Sequence, residues 1–402
     1  MKTRRRIVQF GFLVLTLAAV FVVKGNAERW CPFGGVEALY NYAVEGNLIC
    51  SLGVSNFYIL AGVLICTLLL RRVFCGYMCP IGTISEWLGR LATRLGLKAV
   101  RPPAGVDGGL AVLKYAVLAV VLFITWRASE LEFRAFDPCY ALISRHGEDI
   151  TFWAYVVAGA VVLGSLLVTM PFCRWLCPLA AVLNGFSRFG YARVRRNEET
   201  CTQCGQCSRV CPMAIPVARV REVTHARCMS CLNCVDACPA LEKGAISWGP
   251  PGSPRRAWPQ AVLLTVMLAC IGGAVAAVYA FPIPSYEKTR GTVPAKTASV
   301  DLMVTELTCR GRATLFTERF LWRDDILALP GYLKVQAWPG PGVARVRVIY
   351  DPEQANEESI KQAIVEPYFD AVSDTWDASP FTVVGFDPLG LDDAPATSEP
   401  AR

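Results

Sequence analysis

Five long apolar runs divide the chain, at residues 7–23, 57–70, 110–126, 152–170 and 261–281. A helix needs roughly 20 apolar residues to cross ~30 Å of hydrocarbon, so each run is read as a membrane-spanning helix and about five are expected. The first run follows Met1-Lys-Thr-Arg-Arg-Arg6 and precedes Gly25-Asn-Ala27, a layout that a cleaved signal peptide shares; its length of seventeen residues favours a retained anchor. Between the runs, 87–97 and 183–194 have helical spacing with one polar face and are expected to lie along the membrane surface. Past the fifth run the period changes. Residues 300–307, 331–337 and 344–350 alternate apolar and polar, 315–329 and 356–365 have helical spacing, and 381–384 reads as a short last strand, giving the order βαββαβ. The Pro/Gly-rich stretch 249–254 reads as a linker, and the acidic, proline-containing end 387–402 is expected to be disordered.

Composition strengthens the membrane reading: of 402 residues 53% are hydrophobic and only 18% charged, with a mean hydropathy of +0.37, too apolar for an ordinary soluble protein. A net charge of +7 does not point to nucleic acid, because the basic residues flank the apolar runs and no basic groove with interleaved aromatics is present. Those flanking charges set an orientation instead. Residues 1–6, 71–109 and 171–260 carry four, six and twelve Lys and Arg against none, two and five acidic residues. The alternate segments 24–56, 127–151 and 282–402 carry two, three and twelve against three, five and eighteen. The N-terminus and the segment after the fourth run are therefore expected in the cytoplasm, and the C-terminal region in the periplasm.

Eighteen cysteines bring in the chemistry. Cys201-x-x-Cys204-x-x-Cys207-x-x-x-Cys211-Pro212 repeats as Cys228-x-x-Cys231-x-x-Cys234-x-x-x-Cys238-Pro239. A tight CxxCxxC loop supplies three thiolates to one 4Fe-4S cluster, and the Cys before Pro reaches the other cluster. This is the spacing of a bacterial two-cluster ferredoxin. Cys201, Cys204, Cys207 and Cys238 are assigned to the first cluster, and Cys228, Cys231, Cys234 and Cys211 to the second. Zinc ribbons also use CxxC pairs, but give no reason for a third Cys two residues on and a fourth before Pro, twice over.

A second duplication lies among the apolar runs: Val73-Phe-Cys75-Gly-Tyr-Met-Cys79-Pro80-Ile aligns with Pro171-Phe-Cys173-Arg-Trp-Leu-Cys177-Pro178-Leu. Both copies follow a run directed from outside to inside, so both should emerge at the cytoplasmic edge. In helical backbone the two cysteines of each copy share a face, and Pro80 or Pro178 fits the first turn of a new helix. Four converging thiols, Cys75, Cys79, Cys173 and Cys177, would suit a further iron–sulfur or other thiophilic metal centre. The alternative is reduced structural thiols, with quinol delivering electrons near Lys114.

These two CxxxCP half-sites with the downstream double ferredoxin motif resemble the NapH/NosR/CcoG group of membrane polyferredoxins over about residues 57–250. The resemblance implies electron passage across or along the inner membrane to periplasmic reductases or to metal-cofactor maturation. No periplasmic flavin-binding domain of the NosR kind is evident, so a partner enzyme is not carried over.

Other residues refine the picture. Only His146 and His225 are present, which excludes a membrane haem with two His ligands; His225 is expected on the ferredoxin surface. Lys114, inside the third run, is read as snorkelling to the membrane edge. Outside, Cys31, Cys50 and Cys139 form a disulfide, most simply Cys31 with Cys50, or a redox-active pair or metal site. Cys66 and Cys270 read as packing residues. The C-terminal βαββαβ region resembles the heavy-metal-associated, ferredoxin-like fold. Leu307-Thr-Cys309-Arg-Gly-Arg312 stands where that family has MxCxxC, with Arg312 replacing the second cysteine. One thiol between arginines is a poor copper site, so an adapter domain with an unused or disulfide-bonded Cys309 competes with metal handling.

The chain thus divides into an anchor and loop (1–56), membrane helices (57–194), a ferredoxin module (195–248), linker and last helix (249–284), a C-terminal domain (295–386) and a tail (387–402). Two functions fit. One is an electron carrier between a cytoplasmic or quinol donor and a periplasmic acceptor, with redox partner proteins on both sides. The other is a factor that binds or reduces a metal ion outside the cytoplasm. No nucleophile–base or phosphate-binding motif suggests group transfer.

Overall fold

The computed structural model describes residues 2–22, 30–45, 51–97, 100–128, 136–143, 151–252, 257–284, 286–308, 310–323, 326–340, 342–370 and 375–386. Cys50, His146, Cys309 and the tail fall outside these, and so do the expectations placed on them. The chain forms two compact units, one of residues 1–40 with 55–281 and one of 41–54 with 282–402.

In the first unit the apolar runs are helices: α1 (Lys2–Phe21), α3 (Ser51–Leu70), α7 (Leu113–Ala128), α9 (Phe152–Leu167) and α13 (Gln260–Ala280). Among the described residues two stretches, Ala104–Arg127 and Gln260–Ala280, are long and apolar enough to cross a membrane, and Ser55–Leu70 and Phe152–Leu167 are shorter apolar helices. Each of the five exposes large apolar side chains, such as Ile7, Ile65, Val120, Phe152 and Leu268. A soluble monomer does not leave so much contiguous apolar surface in water.

Shorter helices fill the intervals: α2 (Pro32–Glu45), α4 (Val73–Tyr77), α5 (Pro80–Arg94), α6 (Ala104–Leu110), α8 (Pro138–Ile143) and α10 (Pro178–Ser187). The expected surface helix 183–194 is not one element. Helix α10 ends at Ser187 with most of its residues buried, and Arg193–Arg196 becomes strand β1. That strand pairs antiparallel with β2 (Ile246–Gly249), clasping the two ends of the ferredoxin module, which also holds the short helices α11 (Gln206–Arg209) and α12 (Asn233–Asp236). Lys114 does not snorkel. It is buried, and its ammonium donates to the Arg174 carbonyl at 3.3 Å, because a cation this deep must find an acceptor inside the protein.

The second unit is an antiparallel sheet of β3 (Tyr286–Arg290), β4 (Ala298–Thr305), β5 (Leu333–Trp338) and β6 (Val343–Tyr350), in the order β3-β5-β6-β4. Thr305 N–H donates to Thr382 O and Val384 N–H to Met303 O, so 381–384 extends the far edge beside β4 as the sequence expects. The order is that of a split βαβ fold with β3 added at one edge. Helix α14 (Arg310–Leu315) continues as a π-helical turn, Phe316–Leu321, and stops there rather than running to 329. Buried Arg323 then donates to the Ala363 and Pro367 carbonyls at 3.0 and 2.7 Å, holding the chain against the C-terminal end of α15 (Glu357–Val365). Strands β7 (Tyr368–Asp370) and β8 (Thr375–Asp377) form a small hairpin.

Candidate iron–sulfur centres

The two CxxCxxC loops share a backbone conformation as well as a spacing. The residue before and the residue after the second Cys are left-handed in both: Gln203 (φ 53°) and Gly205 (φ 71°), then Ser230 (φ 45°) and Leu232 (φ 58°). Such a turn curls backbone N–H groups into a concavity suited to an anionic cluster. A one-turn helix follows each, α11 and α12.

Cys234 has Cys231, Cys211, Cys228 and also Cys207 around it, and Cys231 in turn has Cys211, so the Cys before Pro212 sits with the second loop. Cys207 neighbours Cys201. Burial pushes the Cys231 thiol up to about 12, Cys211 up to about 11 and Cys234 well above the ordinary range. Exposed Cys204 is lowered, chiefly by the Gln206 N–H. Among the described residues no three Cys, His, Asp or Glu side chains are drawn together as tightly as metal ligands are. The donor set, all sulfur with inward N–H groups, nevertheless suits 4Fe-4S clusters and offers nothing to a harder ion.

The second loop is seated on the first half-site. Arg72 N–H donates to Cys228 O at 3.4 Å, and Ser230 Oγ donates to Leu70 O at 2.7 Å. Gly76 makes this contact close, since a Cβ there would stand 3.1 Å from Met229 O. Buried charges fasten the same elements. Arg5 donates to Gly76 O, to Glu86 and, at 3.2 Å, to Asn233 of the second loop. Asp107 accepts from Arg174 of the second half-site, from Trp175 at 2.9 Å and from Arg227 of the module at 2.6 Å.

Each half-site is entered through a left-handed residue, Arg71 or Met170, and makes one helical turn, α4 in the first copy and a π-helical turn (Phe172–Leu176) in the second. The turn does not carry both cysteines on one helical face. Cys79 (ψ 120°) and Cys177 (ψ 116°) are extended and cap α5 and α10, with Pro80 and Pro178 opening those helices. The four thiols are neighbours without closing to metal-ligand spacing: Cys173 has Cys79, Cys177 and Cys75 around it, and buried Arg72 has Cys75, Cys177 and Cys173, reaching Cys75 Sγ at 3.7 Å.

A largely apolar cavity of about 540 Å³ opens beside them, lined by Cys79 and Cys177 and also by Cys31 and Cys139. Cys31 and Cys139, expected from the Lys and Arg distribution on the outer side, thus share a cavity with cysteines expected at the cytoplasmic edge. One sequence signal did mark Cys31: like Cys79 and Cys177 it precedes a proline that opens a helix, α2. Cys66 and Cys270 hydrogen-bond to each other between α3 and α13, a partnership their separation in sequence conceals. His225 is exposed on the module, as expected.

The description "4Fe-4S binding domain" matches residues 52–98 and again 150–197, once over each half-site, and "4Fe-4S dicluster domain" matches 193–239. The chain is 30% identical over 294 residues to YccM of Escherichia coli, covering 69% of this chain and 81% of that protein. It is 25% identical over 257 residues to the ferredoxin-type protein NapH of Haemophilus influenzae, covering 58% and 85%. The regulatory protein NosR of Pseudomonas aeruginosa is 30% identical over 182 residues, 42% of this chain but only 25% of NosR. No solved structure matches.

Proposed function

This chain belongs to the NapH/NosR-like polyferredoxins, and on that footing we propose that its iron–sulfur electron transfer runs between the cytoplasmic face, with a soluble or quinol donor there, and a periplasmic acceptor protein. The five long helices span the inner membrane, with the module inside and the C-terminal unit outside, in keeping with the Lys and Arg distribution. Cys201, Cys204, Cys207 and Cys238 hold one 4Fe-4S cluster; Cys228, Cys231, Cys234 and Cys211 hold the other; Cys75, Cys79, Cys173 and Cys177 hold a further centre. When bound, each such cluster supplies a one-electron carrier.

The chain's own residues set the path. Exposed Cys204 marks the end open to a donor, and the buried second loop sits against the first half-site. Arg5, beside Cys231, and Arg72, beside Cys75, offset the negative charge that thiolate-bound iron accumulates, and the apolar surroundings keep water from the sulfurs. The seating of Cys228 and Ser230 on Leu70 and Arg72 is the observation that carries this reading, because it makes the module and the half-sites one packed core.

Anaerobic metal analysis and low-temperature EPR test the ligand assignment. The module should hold about eight iron and eight labile sulfide. Cys211→Ala should degrade the same cluster signal as Cys231→Ala; matching Cys204→Ala instead would break the assignment.

A further inference from the structure

The repeat that contains the half-sites extends further than CxxxCP. In the first half a short helix opening at Cys31-Pro32 leads into α3, the Cys75–Cys79 turn and α5; in the second, a short helix opening at Pro138-Cys139 leads into α9, the Cys173–Cys177 turn and α10. Each half therefore carries three cysteines in the same order, and the structure gathers the outlying pair with the rest. Cys31 and Cys139 line the cavity that Cys79 and Cys177 line. Cys139 neighbours Cys79, Cys31 and Cys177, and packs beside Ile81 and Phe172. Cys31 packs with Cys75 and Cys177 around Phe33 and Leu179.

We propose that Cys31 and Cys139 are ligands of the half-site metal centre, a third sulfur donor from each half of the repeat. The inference rests on the reading of the half-sites as an iron–sulfur centre and enlarges its ligand set from four thiols to six. Helix starts support it. The Cys31 sulfur faces the Phe33 and Gly34 N–H groups, Cys79 faces Gly82, and Cys177 faces Ala180, so three sulfurs of the cavity wall meet the N-termini of α2, α5 and α10. N–H donors at the sulfurs favour bound thiolate over free thiol and tune a cluster's potential. A Cys31–Cys50 disulfide would preclude this role.

The test uses the full chain, purified anaerobically, with iron and labile sulfide per chain and the EPR spectrum of the reduced protein as readouts. Wild type is compared with Cys79→Ser/Cys177→Ser, Cys31→Ser/Cys139→Ser and, as a control for buried cysteines, Cys66→Ser/Cys270→Ser. Retention of the module's own iron shows that a variant has folded. The Cys31/Cys139 variant is expected to lose the same iron as the Cys79/Cys177 variant, while the control loses none. Full iron and an unchanged spectrum in the Cys31/Cys139 variant, with loss in the Cys79/Cys177 variant, would overturn the inference and leave the four-thiol centre standing. Equal iron in wild type and the Cys79/Cys177 variant would remove the half-site centre and the inference together.

Discussion

Single residues decide the shape of the cluster loops. Of the four left-handed positions only one is glycine; Gln203, Ser230 and Leu232 hold side chains in a conformation that costs on the order of 1–2 kcal/mol each. Strain of that kind persists where the surroundings over-determine it, and Ser230 and Leu232 are buried in the contact with the first half-site. Gly205 has no such support, and open space surrounds the point where its Cβ would stand. Gly205→Ala should therefore cost about 1 kcal/mol by conformation alone, read as a lower thermal midpoint for loss of cluster absorbance, with iron content unchanged. A midpoint equal to wild type would show that this loop does not hold its left-handed turn.

At the scale of elements, the sequence announces whatever repeats or stays local. Unbroken apolar runs gave the five long helices, the duplicated Cys spacing gave the module, and Pro80 and Pro178 marked helix starts that the structure contains. Period-2 alternation marked β4, β5 and β6. Illegible were elements whose reason is tertiary. Strand β3, Tyr-Glu-Lys-Thr-Arg, has no apolar alternation and exists because β5 offers it an edge. Helices α2 and α8 carry Cys31 and Cys139 to a cavity whose lining runs as far along the chain as Val275, which no local pattern records.

Nor does sequence show that Arg5, counted as an orienting charge, is a buried bolt between α1, α4, α5 and the second loop. Removing it strands Glu86, whose remaining cationic partner is Arg90. Arg5→Met should destabilise by about 3–5 kcal/mol, as breaking a buried ion pair does. Arg90→Met, on a half-exposed partner of the same carboxylate, should cost under about 1 kcal/mol. Equal losses in a thermal or denaturant series would mean that the Arg5 network is not what fastens the module to the first half-site.

For the whole molecule, the proposed route runs from solvent-facing Cys204 through the second loop, seated on the first half-site, to the four half-site thiols, with Cys31 and Cys139 beside them in one cavity. The chain's heavy use of buried arginine follows from that route, since closely spaced thiolates in an apolar interior need fixed positive charge nearby. In the proposed topology the C-terminal unit, with twelve basic to eighteen acidic residues over 282–402, is the part offered to a periplasmic partner.

The most direct test of this route is electron crossing in sealed vesicles. Full-length protein is reconstituted with dithionite trapped inside and ferricyanide, which does not cross lipid, outside. Wild-type vesicles are expected to bleach ferricyanide well above protein-free vesicles, and Cys79→Ser/Cys177→Ser, with its module clusters intact, should fall to the protein-free rate. Bleaching by that variant at the wild-type rate would contradict passage through the half-sites.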